Sequence, residues 1–209
     1  MNDVPPHPPP IFDNAVYVPD RPPVEEQVRR ALPRDWKVTL LAVDGHCTED
    51  VATQLTRLPD DASHLFVSVG GNDALGASWI LNEPVHSVDE ALRLMDDLRE
   101  QFAVKYRAML NSLLATGKPA VVCTVYDQVP GLRPAERAAL AGFNETILRE
   151  AFASRVGVID LRLVCNQPSD YSHVSAIEPS ATGGLKIARI IAGIATSAAD
   201  VGRVSIVYA

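Results

Sequence analysis

The chain has 209 residues, of which 47% are hydrophobic and 22% charged, enough to bury one substantial core and too few for two full domains. Its formal charge of −7 and the lack of any Lys/Arg-rich run exclude nucleic acid and anionic membrane as partners, because both need clustered positive charge. Cys47, Cys123 and Cys165 are odd in number and show no CxxC or Cys/His spacing, which argues against a disulfide framework and against zinc.

Met1–Pro10 reads MNDVPPHPPP, and its five prolines supply too few N–H groups for a central strand. This stretch is expected to be an extended tail, followed by a single domain over 11–209. The tail is no basic-then-apolar leader, and no later run approaches the roughly 18 apolar residues of a spanning helix, so a cytoplasmic protein without a membrane partner is expected. Val24, Val28, Ala31 and Leu32 recur at helical spacing between Pro23 and Pro33. Trp36–Val43 (WKVTLLAV) reads as a buried strand ending in Asp44-Gly45. Thr48 is the expected N-cap of a helix with Glu49 and Asp50 in its first turn, running through Val51, Leu55 and Leu58.

His64–Val69 (HLFVSV) is the next predicted strand, broken by Gly70-Gly71. Strand, helix and strand in that order make the βαβ unit of a parallel sheet. Ser87 and Glu90 form a capping box ahead of a long amphipathic helix, which Gly117 and Pro119 end. Ala120–Tyr126 is then a strand, Pro134 opens a helix through Leu140, Phe143 and Ile147, Val156–Asp160 is a short strand, and Ala181–Ala195 is the last helix. Arg203–Tyr208 (RVSIVY) is β-prone, with no assigned place in the fold.

In open parallel sheets ligands bind beyond the carboxyl ends of the strands, which directs attention to the loops after Val43, Val69, Tyr126 and Ile159. Asp44-Gly45 and Gly70-Gly71-Asn72-Asp73 would bring backbone N–H groups and a side-chain amide to one rim, as an oxyanion hole requires. The plainer role for these residues is turn formation. His7, His64 and His86 are not clustered with other ligands, so no metal or other cofactor is expected.

Taken in order, these blocks resemble the SGNH or GDSL hydrolases, a family of flavodoxin-like esterases and lipases, over Ile11 to about Ala195. The resemblance implies a three-layer α/β/α fold with a parallel sheet and a small-molecule ester as substrate. It matches Gly45 to the second-block glycine and Gly70-Gly71-Asn72-Asp73 to the Gly-x-Asn-Asp block, with Asn72 as side-chain oxyanion donor. IFDNAVYV (Ile11–Val18) resembles the segment after the nucleophilic serine in one bacterial branch. Pro8-Pro9-Pro10 stand where Gly-Asp-Ser belongs, so the first strand is absent or replaced and Pro10 occupies the position of the nucleophile.

Two registers compete for the family's Asp-x-x-His element. Asp170-Tyr171-Ser172-His173 fits its spelling, whereas Glu178-Pro179-Ser180 with Gly183-Gly184 fits the usual His-Pro-Ser and trailing glycine, putting Glu178 at the histidine's place. Asp170 and His173 also read as solvated loop residues, and Glu178 as a carboxylate favoured near a helix start. Cys47, beside His46 at a helix N-terminus, is an alternative nucleophile because that setting lowers a thiol pKa, and buried packing is its plainer role. Three readings are open: an impaired carboxylic-ester hydrolase, a pseudoenzyme that binds without turnover, and a truncated gene model of an active esterase. No pattern in the sequence encodes substrate specificity or oligomeric state.

Overall fold

The computed structural model describes residues 11–197 and 206–208. Its helices are α1 (Val24–Ala31), α2 (Val51–Leu55), α3 (Gly71–Gly76), α4 (Val88–Ala115), α5 (Pro134–Ala153), α6 (Leu161–Val164) and α7 (Ala181–Thr196). Its strands are β1 (Leu65–Val67), β2 (Ala120–Cys123), β3 (Gly157–Ile159) and β4 (Val207–Tyr208), paired in the order β1-β2-β3-β4 and parallel throughout.

Both faces of this sheet are covered, as a parallel sheet requires. Because side chains alternate across a strand, Val121, Cys123 and Ile159 join Val24, Val28, Ile187 and Ile191 of α1 and α7 in one core. Ala120, Val122 and Val158 join Phe102, Tyr106, Leu110, Phe143 and Ile147 of α4 and α5 in the other. The result is the expected α/β/α arrangement of three layers.

Local chemistry sets the helix ends. The Ser87 hydroxyl accepts from the Glu90 N–H at 3.1 Å, while the Glu90 carboxylate reaches one residue further back than a strict capping box, to His86 N–H at 2.7 Å. Ser180 caps α7 by accepting from Thr182 and Gly183 N–H. Gly183 is required there by close approach, since a Cβ would stand 2.2 Å from the Asp170 carbonyl oxygen. On α1, Glu25–Arg29 and Glu26–Arg30 pair at i,i+4 along the exposed side.

Two expectations change, and one open run finds its place. Trp36–Val43 joins no ladder and none of its residues is buried. Its β-rich composition supplies propensity, but a strand exists only where a neighbour offers its backbone. Thr48 is not an N-cap: Cys47 takes that position ahead of a 3-10 turn leading into α2, and the Asp50 carboxylate accepts the Cys47 N–H at 2.7 Å. The C-terminal run adds β4 to the far edge, with Val158 opposite Val207 and Ile159 opposite Tyr208, away from any gap beside β1. Arg203–Ser205 and the Met1–Pro10 tail lie outside the described residues.

Candidate active-site cleft

A cleft of about 500 Å3 opens beyond the carboxyl ends of β1 and β2. Gly70 shapes its floor. Its φ of +106° is left-handed, and a Cβ there would lie 3.2 Å from Phe102 Cζ and 3.3 Å from Ile147 Cδ1, so only glycine lets the chain turn from β1 into α3. Gly71 and Asn72 are the first residues of α3 and line the cleft with His46, Ser68 and Tyr126. The deeper walls are apolar, including Leu75, Ile80, Met95, Leu98, Leu140 and Phe143. This combination of a polar mouth and an apolar interior suits a ligand with one polar carbon centre and a hydrocarbon part.

The two expected glycine loops do come together. The Asn72 side-chain amide donates to the His46 carbonyl at 2.9 Å, tying the loop after Gly45 to the start of α3. Gly45 itself turns with φ +79° just behind His46 and does not line the cleft. Asp73 points away from the cleft as a brace: its Oδ2 accepts from Thr48 N at 3.0 Å and Thr48 Oγ1 at 2.9 Å. Burial raises the Asp73 pKa even against those two bonds, which lower it.

Asp170 and His173 do not form a dyad. The Asp170 carboxylate is fully buried and committed to Lys186 Nζ at 2.7 Å and Gln167 N–H at 3.0 Å, while His173 is exposed and outside the cleft. Asp170 therefore anchors α7 to the preceding loop. Nor is Cys47 activated. Burial comes first, and Asp73 and Asp50 second, in raising its thiol pKa; nearby carboxylates override the helix-start position from which a lowered value was expected.

Glu178 does reach the cleft. It is 1% exposed, its side chain makes no hydrogen bond among the described residues, and its Oε2 is wholly shielded from solvent. Burial, reinforced by Asp44 and Asp13, pushes its pKa up to about 9, so the carboxyl is neutral at pH 7. The same surroundings raise Asp13, by burial and then Asp44, and Tyr17, by burial and then Asp44 and Glu178. Asp13 and Tyr17 come from the stretch Ile11–Val18 and Asp44 from the turn after Trp36–Val43, so the three are not visible as a group in the sequence, and only the Asp44-Gly45 turn marks one of them. His46 is the histidine at the cleft, and its Nδ1 is engaged by Gln54 Nε2 at 3.0 Å. Ser68, at the end of β1, is likewise hidden within an apolar strand pattern; its hydroxyl contacts the buried Cys123 thiol.

The comparisons agree with this architecture. The model of the GDSL-like lipase/acylhydrolase family matches residues 16–183. The fold is similar to the lipase Lip_vut3 from a goat rumen metagenome, with TM-score 0.61, 18% identity and coverage of 81% of this chain and 86% of that one. It is also similar to an extracellular lipase from Streptomyces rimosus, with TM-score 0.51, 19% identity and coverage of 72% and 77% respectively. A search of curated proteins finds no match. With the family match running from the 3-10 turn at Ala15–Tyr17 to the start of α7, the chain belongs to the GDSL-like lipase/acylhydrolase family.

Proposed function

We propose that the cleft binds the acyl part of a small carboxylic ester and that this chain turns such esters over poorly. Acyl transfer through a hydroxyl needs a nucleophile within hydrogen-bond reach of a base. The observation that carries the reading is Glu178: a buried carboxyl at the cleft with no hydrogen-bond partner among the described residues, which stands at the family's histidine position in the second of the two registers. At pH 7 it has no vacant carboxylate with which to take a proton. The cleft's histidine, His46, is tied to Gln54, and Ser68 faces a thiol instead of a base.

The remaining groups favour binding. Gly71 N–H at the start of α3 and the second N–H of Asn72 supply donors for a carbonyl oxygen, and the apolar walls take the hydrocarbon. Three free thiols are consistent with a reducing, cytoplasmic setting, and among the described residues no helix is long and apolar enough to cross a membrane.

The test compares turnover with binding on the full chain. Short p-nitrophenyl esters should be hydrolysed little above background, and a fluorophosphonate probe should label no serine. The non-hydrolysable ether analogue, butyl p-nitrophenyl ether, should bind measurably by calorimetry, and Leu140→Trp should weaken it at least tenfold by filling the cleft. Serine labelling with rapid turnover would refute the impaired reading; absence of ether binding would refute the acyl-binding one.

A further inference from the structure

The charged lining of the cleft is one-sided. Among the described residues no Lys or Arg borders it, and its charged side chains are Glu136 and Glu178. Glu136 is committed: its carboxylate accepts from Arg133 Nε at 2.9 Å and from the Arg133 N–H at 2.7 Å. Glu178 is not. Its backbone is pinned on both sides, with its N–H donating to the Ser175 carbonyl at 3.0 Å and its carbonyl accepting the Ser172 N–H at 2.8 Å, and its side chain lines the cleft. That side chain is 1% exposed, and its Oε2 meets no donor among the described residues. The charges it feels are Asp44 and Asp13, which no basic side chain offsets there. Tyr17 and Tyr126 feel Glu178 in turn, but the Tyr126 hydroxyl donates to the Ile177 carbonyl at 2.5 Å. His46, the remaining titratable group on the wall, is held at Nδ1 by Gln54.

We propose that the polar end of the cleft recognises a primary ammonium group, paired with Glu178, so that its ligands are esters in which an ammonium group accompanies the hydrocarbon part. The inference rests on the acyl-binding reading of the same cleft and narrows it. Charge selects the cation. Asp13 and Asp44 oppose negative charge at Glu178 and repel a ligand carboxylate or phosphate, whereas an ammonium placed among the three carboxyls relieves that repulsion. Donor number acts the same way, since an ammonium offers three N–H donors to this acceptor-rich corner and a hydroxyl offers one. Geometry selects an organic cation over a metal, because among the described residues no three His, Cys, Asp or Glu side chains converge closely enough to hold an ion. The apolar walls at Met95, Leu140 and Phe143 take the attached hydrocarbon. Binding is then an exchange: the neutral Glu178 carboxyl gives its proton to solvent as the ammonium arrives, so one proton leaves per ligand and the pair stays neutral overall.

The test uses the full chain and two probes of equal shape, hexylamine and hexanol, beside the butyl p-nitrophenyl ether that reads acyl binding alone. At pH 8.5 the amine should bind at least tenfold more tightly than the alcohol. Its affinity should fall about tenfold per pH unit from 8.5 to 6.5, because Glu178 must first release its proton, while that of the alcohol stays level. Calorimetry at pH 7.5 in two buffers of different ionisation enthalpy should find about one proton released per amine bound. Glu178→Gln keeps the shape and cannot ionise, so it should abolish the proton release and weaken the amine at least tenfold at pH 8.5. Equal binding of amine and alcohol at pH 8.5, an amine affinity flat with pH, or an amine affinity untouched by Glu178→Gln would overturn the proposal, and acyl binding would still stand if the ether binds. Failure of ether, alcohol and amine together would overturn both. Tighter amine binding after His7→Ala would make the chain's own histidine the partner of Glu178 and overturn the proposal as well.

Discussion

Replacing Glu178 with Gln should remove a pH-dependent cost from the folded state. In the unfolded chain the carboxyl ionises near its ordinary 4.5, whereas in the fold it holds its proton until about pH 9. Below 4.5 both states carry the proton and the group is silent. Between 4.5 and about 9 the unfolded state has released a proton that the folded state retains, so stability falls by about 1.4 kcal/mol per pH unit. At pH 7.5 that is about 4 kcal/mol, on the order of the whole stability of a marginal domain. Gln is isosteric and cannot ionise, so Glu178→Gln should melt on the order of 10 °C higher at pH 7.5 and should match the wild type near pH 4.5. Asp13 and Asp73, also raised, add slopes of the same sign that both proteins share. Thermal melts at half-unit intervals from pH 4.5 to 9 decide the matter. A difference between the two proteins that stays constant over that range would show that Glu178 ionises normally in the fold.

The cleft supports two further expected outcomes. Iodoacetamide should modify Cys47 slowly at pH 7, and Cys47→Ala should leave any residual ester turnover unchanged, since its surroundings raise the thiol pKa; mass spectrometry and initial rates check both. Gly70→Ala should cost about 1–3 kcal/mol, because a left-handed φ of +106° and contacts of 3.2 and 3.3 Å must both be relieved, and a chemical denaturation curve measures it.

Long-period signals are the most legible part of the sequence. The apolar repeat of α4 between a Ser87 cap and Gly117, and the short buried runs of β1, β2 and β3, depend mainly on neighbours close in the chain, and the structure contains them nearly as expected. Trp36–Val43 shows the opposite case. Its composition is as strand-like as that of β2, yet β2 is flanked by β1 and β3 while Trp36–Val43 faces a cavity. Pairing is a tertiary fact that residue type does not encode. The same holds for the C-terminal run, whose place beside β3 no local pattern foretells. In the cleft, Gly70-Gly71-Asn72 is legible because a strand, a turn and a helix start are consecutive. The Asp73–Thr48 brace and the gathering of Asp13, Asp44 and Glu178 join residues from distant loops. Spelling alone also misleads: Asp170 and His173 lie three residues apart, but Lys186 claims the carboxylate.

A cavity of about 620 Å3 between Trp36–Ala42 and the free edge of β1 meets the cleft at His46, Ser68 and Val69, and Ile11 lines the cleft while Phe12 lines this cavity. A strand built directly ahead of Ile11 would therefore run along the β1 edge and deliver its last residue to the cleft rim, near Asn72 and Glu178. Replacing Met1–Pro10 with five apolar β-branched residues followed by Gly-Asp-Ser should pair the free edge of β1 and bury apolar wall, raising Tm by several degrees. It should also introduce a serine hydroxyl beside the oxyanion donors, so ester turnover should rise with Tm. A neutral Glu178 is a weak base, and the added turnover should therefore stay modest at pH 7 and grow toward pH 9 as Glu178 ionises. Pro10→Ser alone should change neither quantity, because a serine after four remaining prolines has no strand to aim it. Measuring both properties on both chains separates the possibilities. Activity from Pro10→Ser alone would mean that the serine position is already ordered at the cleft, and a graft that lowers Tm would mean that the space between Trp36–Ala42 and β1 does not admit a strand.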